Sequence, residues 1–435
     1  MSKKVCVIGA GSSGIVAIKT LKSHGLEVVC YEKGSYIGGN WCFQNNNGQS
    51  TTYKSLHINT SKQLMAYSDF PMPEDYPDYP HHSLIYKYFE DYVTHFDCKK
   101  NIHFNSTVLS IHKVADNNYE VTTDRFGTIN FDAVVICNGH HWSPRLVNFE
   151  GKFTGKSIHS HDYRSYEGFE NKKVLIVGIG NSAVDIACEL SDIAEKTTIS
   201  TRSGAYIVPK YLFGIPTDHI SKPPLAYLPI QVQRAALMTS LMLNIGKQDN
   251  YGIPTPNRPI LSEHPTISQE LLTRVGHGKI DIKPNIKKFE EKKVCFTDGS
   301  EQEYDIILYC TGYNIKFPFL DKGIIEVVDN KVPLYLKVVP PAHKGLYFIG
   351  LIQPLGAVMP LAETQSKWVA QLITGECKLP SSFLMKKSIE DDSKEMSKRY
   401  IKSDRHTIQV DFFPYKRRLE QEFSKNLLNI FKIKL

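Results

Sequence analysis

Two glycine-rich turns of one kind, about 170 residues apart, constrain this 435-residue chain more than any other feature. Each follows a short apolar run of β type and opens a helical pattern, the arrangement in which backbone N–H groups cradle a phosphate. The first is Gly9-Ala10-Gly11-Ser12-Ser13-Gly14 after Val5-Cys6-Val7-Ile8, and the second is Gly178-Ile179-Gly180-Asn181-Ser182-Ala183 after Val174-Leu175-Ile176-Val177. The pattern predicts an α/β protein with two Rossmann-like dinucleotide-binding domains.

The unit around the first turn is complete. Ile15 to Lys22 is helical in composition, His24-Gly25 stops it, and the run Glu27 to Tyr31 ends at Glu32. An acid about 20 residues past the glycines accepts a ribose hydroxyl and repels a 2′-phosphate, so Glu32 selects FAD or NAD over NADP. Gly38-Gly39-Asn40-Trp41 follows, either as bare backbone close to a flat or phosphorylated group or as a surface turn. Two further runs, Phe131 to Cys137 before Asn138-Gly139 and Tyr304 to Cys310 before Thr311-Gly312-Tyr313, read as buried parallel strands whose ends reach the ligand.

At the second turn Ala183 replaces the third glycine, and the next strand, Thr197 to Thr201, ends in Arg202-Ser203 with no carboxylate. A guanidinium there can hold a 2′-phosphate that an acid would refuse. The first site therefore reads as FAD and the second as NADPH.

Charged residues at 22% and apolar ones at 41% describe a globular protein, and the net charge of +7 is scattered as lysine pairs. No nucleic-acid motif accompanies it. Nine cysteines include no Cys-x-x-Cys, which argues against a zinc ribbon or a disulfide framework and for a reducing, cytoplasmic setting. No signal peptide precedes the first strand, and no run has the roughly 18 apolar residues of a membrane span. The tail Leu427 to Leu435, broken by lysines, is expected at most to dock on protein or weakly on a membrane surface.

Between the turns, Phe153-Thr154-Gly155-Lys156-Ser157-Ile158-His159-Ser160-His161-Asp162-Tyr163 resembles the signature of the flavin-containing monooxygenases. The related Baeyer-Villiger enzymes usually end this run in Trp. Other stretches are similar to the family in order: Asn59-Thr60-Ser61-Lys62 with Tyr67 to Pro71, Tyr309-Cys310-Thr311-Gly312-Tyr313 with Cys310 in place of Ala, and Gly345 to Pro354. The resemblance runs from about residue 4 to 415. Asn40 departs from the usual Leu or Gln, and the hydrophobic tail of microsomal members is missing, which implies a soluble form.

The resemblance implies an enzyme of the N,N-dimethylaniline monooxygenase type, taking small amines or sulfides and O2 as substrates. NADPH reduces FAD, oxygen adds at the flavin C4a carbon, and bound NADP+ shields the hydroperoxide. It implies Asn59 as the catalytic amide beside C4a, and Gly9, Gly11, Gly14, Glu32, Gly39, Trp41 and Gln353 as flavin contacts. Gly178, Gly180, Asn181, Ser182 and Arg202 would hold NADPH. His159 and Tyr163, four residues apart in a stretch that reads as a linker, are expected to be structural. The pairs His81-His82 and His140-His141 lack further ligands at metal spacing, so no metal site is expected. Met359 to Ala370 reads as a helix with Pro near its start.

The second unit reads as an insertion. Residues 1–164 and 291–435 would form the FAD domain and 165–290 the NADPH domain, with 209–265 a candidate substrate-side or interface subdomain and the last 40 or so residues a peripheral helix or arm. The aromatic stretch Tyr76 to Tyr92 is a candidate homodimer contact, or core. A disulfide reductase would need a second cysteine near Cys42, and Phe43 to Ser61 has none. Baeyer-Villiger oxygenation and NADPH oxidase activity yielding hydrogen peroxide remain the alternatives.

Overall fold

The computed structural model describes residues 2–43, 45–400 and 407–432; the expectation for the tail beyond Lys432 lies outside them. In chain order its main elements are β1 (Lys4–Ile8), α1 (Ser12–Ser23), β2 (Glu27–Tyr31), β3 (Ile102–His103), β4 (Ala133–Ile136), β5 (Lys156–His159), β6 (Lys173–Val177), α2 (Asn181–Leu190), β7 (Lys196–Ser200), β8 (Ile280–Lys283), β9 (Ile306–Tyr309), β10 (Leu346–Phe348), α3 (Met359–Thr374), α4 (Ser382–Arg399) and α5 (Phe412–Lys432). The chain divides into two compact units. One contains Met1–Ser50, Thr60–Ser143 and Asn314–Leu435, and the other Thr51–Asn59 and Pro144–Tyr313.

The first unit is built on a parallel sheet in the order β10-β4-β1-β2-β3. Val5, Cys6 and Val7 are wholly buried, as a strand covered on both faces requires. Gly9 leaves β1 with φ +93, and α1 turns back over the sheet with Ile15, Val16, Ala17, Ile18 and Leu21 inward, against α3. A three-stranded antiparallel sheet from Val108–Ala115, Asn118–Thr123 and Gly127–Phe131 completes this part.

The second unit repeats the plan in the order β8-β7-β6-β9-β5, all parallel, with α2 packed on it. Its limits differ from 165 and 290. The strands β5 and β9 lie outside those limits and pair into this sheet, because β9 lies beside β6 with Ile307 opposite Leu175. The run Tyr304 to Cys310 therefore serves the second glycine turn, not the first. Phe153 to His159 is likewise two strands rather than a linker.

Three other stretches take definite form. Tyr76, Tyr79, Tyr88, Phe89 and Tyr92 are buried inside the first unit, so of the two readings kept for the aromatic stretch the structure supports core. Residues 209–265 hold the helix Ile230–Asn244 over a small apolar cluster of Val208, Leu212, Leu237, Leu241 and Ile260. At the C-terminus α4 buries only Met385, whereas α5 sends Tyr415 and Leu419 into the core and packs on α3, so it is no peripheral arm. Among the described residues no helix is long and apolar enough to cross a membrane.

Candidate functional site

A cavity of about 400 Å³ opens in the first unit beside the first glycine turn. Gly9, Gly11, Ser12 and Ser13 form one wall, and Glu32, Gly38, Gly39, Asn40 and Trp41 line it further along. The glycines are required by close approach. A Cβ on Gly14 would lie 1.9 Å from the Gly9 carbonyl oxygen, and one on Gly9 would lie 2.9 Å from that of Cys137. Gly14 thus brings helix and turn together, while Gly11 faces the cavity, with Gly39 Cα the nearest atom to its would-be Cβ at 3.6 Å.

Helix α1 begins at Gly11 with no side chain capping its first turn, so the backbone N–H groups there are left to an anion. Glu32 is buried and held on several sides. Ala10 N–H donates to its Oε2 at 2.8 Å, and Gly34 N–H (2.8 Å) and Asn47 Nδ2 (3.1 Å) donate to its Oε1. A carboxylate has about four acceptor positions, which leaves room for a ribose hydroxyl. An uncapped helix, a backbone cradle and an acid at the strand end fit an FAD.

The second turn has the same construction. Gly178 has φ +116, and its would-be Cβ meets the Cys310 carbonyl oxygen at 2.7 Å. Helix α2 starts at Gly180, again without a side-chain cap. Ala183 is wholly buried at the third glycine position. Asn181 Oδ1 accepts from Ile267 N–H at 2.7 Å, and Ser182 is exposed. Arg202, two residues past β7, is exposed, and no ion-pair partner for it occurs among the described residues. Uncapped N–H groups with a solvent-facing cation and no acid at the strand end fit a phosphorylated dinucleotide.

Asn59 closes a short strap, Thr51–Asn59, that belongs to the second unit. The strap is tied down at several points. Tyr53 Oη donates to Asp185 Oδ2 at 2.9 Å, Lys210 Nζ donates to the Ile58 carbonyl at 3.2 Å, and Lys54 N–H donates to the Arg164 carbonyl at 2.7 Å. Asn59 Oδ1 is buried without a hydrogen-bond partner. Burial pushes the Asp185 carboxyl up to about 6 against the pull of Tyr53 and Lys210, and burial lowers the Lys210 ammonium.

His159 and Tyr163 sit in the framework of the second unit. His159 Nδ1 accepts from His161 N–H at 3.0 Å, its ring lies 5.3 Å from that of Tyr313, and burial brings its pKa down to about 4. Tyr163 donates to Glu189 Oε2 at 2.6 Å and packs edge-on against Tyr53. His81 Nδ1 accepts from Ser83 N–H and caps the helix His82–His95. One group with metal-ligand atoms lies together among the described residues, Glu290, Cys295 and Glu301, but Lys288 and Lys293 already pair with those carboxylates.

Gln353 is not on the cavity wall. Its N–H is used in pairing with the Ile408 carbonyl at 2.9 Å, and Gly350, Val358 and Met359 line the cavity instead. Several wall residues carried no motif: Asn47, Met65, Ser106 to Val108, and Pro318-Phe319. The segment Cys137 to Trp142 also lines it, and only its strand-end position in the sequence pointed there.

Two parallel sheets, each with a glycine turn and an uncapped helix, define a protein with two dinucleotide-binding domains. The comparisons narrow this further. The family described as flavin-binding monooxygenase-like matches residues 2–433, and the chain belongs to it. It is similar to the human flavin-containing monooxygenase 5, with 40% identity over 94% of this chain and 80% of the relative. It is 38% identical to the mouse dimethylaniline monooxygenase [N-oxide-forming] 2, over 95% of this chain and 81% of that one. Among solved structures, the S-allyl-L-cysteine S-oxygenase of Allium sativum superposes with a TM-score of 0.74 at 27% identity, over 98% of this chain and 89% of that one. Cyclohexanone monooxygenase shares the fold, with a TM-score of 0.71 at 16% identity over 97% of both chains. The protein is a flavin-containing monooxygenase, with a flavin as its cofactor.

Proposed function

We propose that this enzyme uses NADPH and O2 to oxygenate soft nucleophilic nitrogen or sulfur atoms of small amines and sulfides, through a C4a hydroperoxide of the flavin protected by bound NADP+. The carrying observation is the contrast between two equivalent strand ends. Buried Glu32 follows β2, and exposed Arg202 lies just past β7. The acid suits an unphosphorylated ribose and the guanidinium a 2′-phosphate, so the two sites divide FAD from NADPH. The relatives named for N-oxide formation and S-oxygenation support the two classes of acceptor atom.

The bound flavin supplies the activated oxygen. Gly9, Gly11 and the first turn of α1 would bind the FAD pyrophosphate, with Gly14 keeping that helix close. Glu32 would accept from the ribose, and Gly39 and Trp41 would line the path of the ring system. Gly178, Gly180 and the start of α2, with Asn181 and Ser182, would receive the NADPH pyrophosphate, and Arg202 its 2′-phosphate. Asn59 would offer its Nδ2 amide group as a donor to the reacting oxygen without supplying an acidic proton. The nine free cysteines suit a reducing cytoplasm.

Rapid-mixing absorbance tests the reading. The FAD protein is reduced anaerobically with NADPH and then mixed with oxygen in the absence of substrate. A C4a adduct that persists for seconds and decays faster with a small amine or thioether is expected. Immediate return to oxidised flavin with stoichiometric hydrogen peroxide would make the protein an oxidase, and acceleration by a cyclic ketone alone would make it a Baeyer-Villiger enzyme.

A further inference from the structure

The wall of the flavin cavity is wired to the C-terminal helix through a buried chain of hydrogen bonds. Gly350, just past β10, has φ +77, and a Cβ on it would lie 2.0 Å from Ser13 Oγ. Its backbone therefore lies directly against the phosphate turn, and both residues line the cavity. Gly350 N–H donates to Gln365 Oε1 at 2.8 Å, from the middle of α3. Gln365 Nε2 donates to Tyr415 Oη at 2.7 Å, and Tyr415 donates its proton to the Leu336 carbonyl at 2.6 Å.

The direction of this chain is fixed by its ends. Gly350 offers only a donor and Leu336 only an acceptor, so the amide and the hydroxyl have one arrangement that satisfies every member. Gln365 is wholly buried, Tyr415 is nearly so, and Leu336 is buried in a left-handed conformation with φ +48. A buried network of this kind is rigid when complete and costly when one member is removed, because an orphaned donor cannot turn to water.

We propose that Tyr415 is a positioning residue for the flavin: through Gln365 it holds Gly350 against Ser13, and so sets how tightly the phosphate turn closes on FAD. The helix α5 is then part of the cofactor site although none of its described residues lines the cavity. The proposal rests on the reading of this cavity as the FAD site.

The test uses the full chain, deflavinated and then titrated with FAD by fluorescence, with thermal melts of the apo and loaded forms. Tyr415→Phe keeps the ring and removes only the hydroxyl; Gln365→Leu breaks the chain one step earlier. Both are expected to weaken FAD binding by about tenfold, the scale of one orphaned buried polar group. Leu419→Ala, in the same helix and equally buried but outside the chain, is expected to lower the apo melting temperature and leave FAD affinity unchanged. If Tyr415→Phe and Gln365→Leu behave like Leu419→Ala, Tyr415 only packs the helix and the proposal falls. If the unaltered protein takes up no FAD, the reading of the cavity fails instead.

Discussion

Tyr53 donates its hydroxyl proton to Asp185 across 2.9 Å, fastening the strap that ends at Asn59 to the helix that follows the second glycine turn. The acceptor is a carboxyl that burial keeps protonated to about pH 6, and Lys210, Glu270 and Glu189 also act on it. Its raised folded-state value means that the folded form holds the proton more tightly than the unfolded chain does. The stability this contributes is complete below about pH 4 and is lost as pH rises through about 6.

His159 acts in the opposite sense. Burial, aided by the neighbouring His161, brings it from 6.5 down to about 4, so its contribution is complete above pH 6.5 and is lost as pH falls through about 4. Between pH 4 and 6.5 the two slopes offset each other. Asp185→Asn removes one of them and leaves the other. The variant should be more stable than the parent at pH 8, by on the order of 2 kcal/mol, and should lose that advantage as pH falls to 4.5. Denaturant melts at the two pH values check this. A variant equally destabilised at both would show that the carboxyl does not titrate in this range.

The glycines of the first turn should not be equivalent. Gly14→Ala places a methyl group on the Gly9 carbonyl oxygen, a contact that only backbone movement can relieve. The expected result is a large loss of stability, about 3 kcal/mol or more, seen in the apoprotein. Gly11→Ala meets its nearest atom at ordinary van der Waals distance, and its methyl group faces the cavity. That variant should melt like the parent without flavin and bind FAD at least tenfold more weakly, about the effect of a cavity contact worth 1.4 kcal/mol. Flavin titrations beside apo melts separate the two cases.

Glu32→Gln tests whether the acid does more than recognise a ribose. Its oxygens accept from Ala10, Gly34 and Asn47, and a glutamine must turn an NH2 group toward at least one of these donors. The apoprotein should lose about 1–3 kcal/mol for the donor left unmatched. An apoprotein of unchanged stability would mean the carboxylate is held for the cofactor alone.

The two glycine turns were legible because each demands backbone that no side chain can share, and the residue after the strand followed from spacing. The domain limits were not. Strand β9 enters the second sheet from far along the chain and β5 pairs with it, and nothing local in Lys156 to His159 announces that parallel partner. That Gln353 lies off the cavity wall was not legible for a similar reason: its backbone pairs with Ile408, a partner 55 positions away whose own segment reads as irregular. The bond from Tyr53 to Asp185 joins residues 132 positions apart, and neither belongs to a motif.

Arg202 offers the most direct check on how the second site chooses its nucleotide. It is exposed past the end of β7 and paired with no acid among the described residues, so its charge is available to a ligand. A charge-assisted bond to a 2′-phosphate contributes about 1.5–3 kcal/mol, which corresponds to roughly 10- to 150-fold in binding. NADH lacks that phosphate. Arg202→Gln should therefore raise the KM for NADPH by roughly 10- to 150-fold, leave the KM for NADH unchanged, and leave the rate of flavin reduction at saturating NADPH close to that of the parent. Anaerobic reduction of the flavin at varied concentrations of each nucleotide gives all three quantities. Equal losses with NADPH and NADH would mean that Arg202 holds the common pyrophosphate, and the selectivity would have to come from another cation of the second unit.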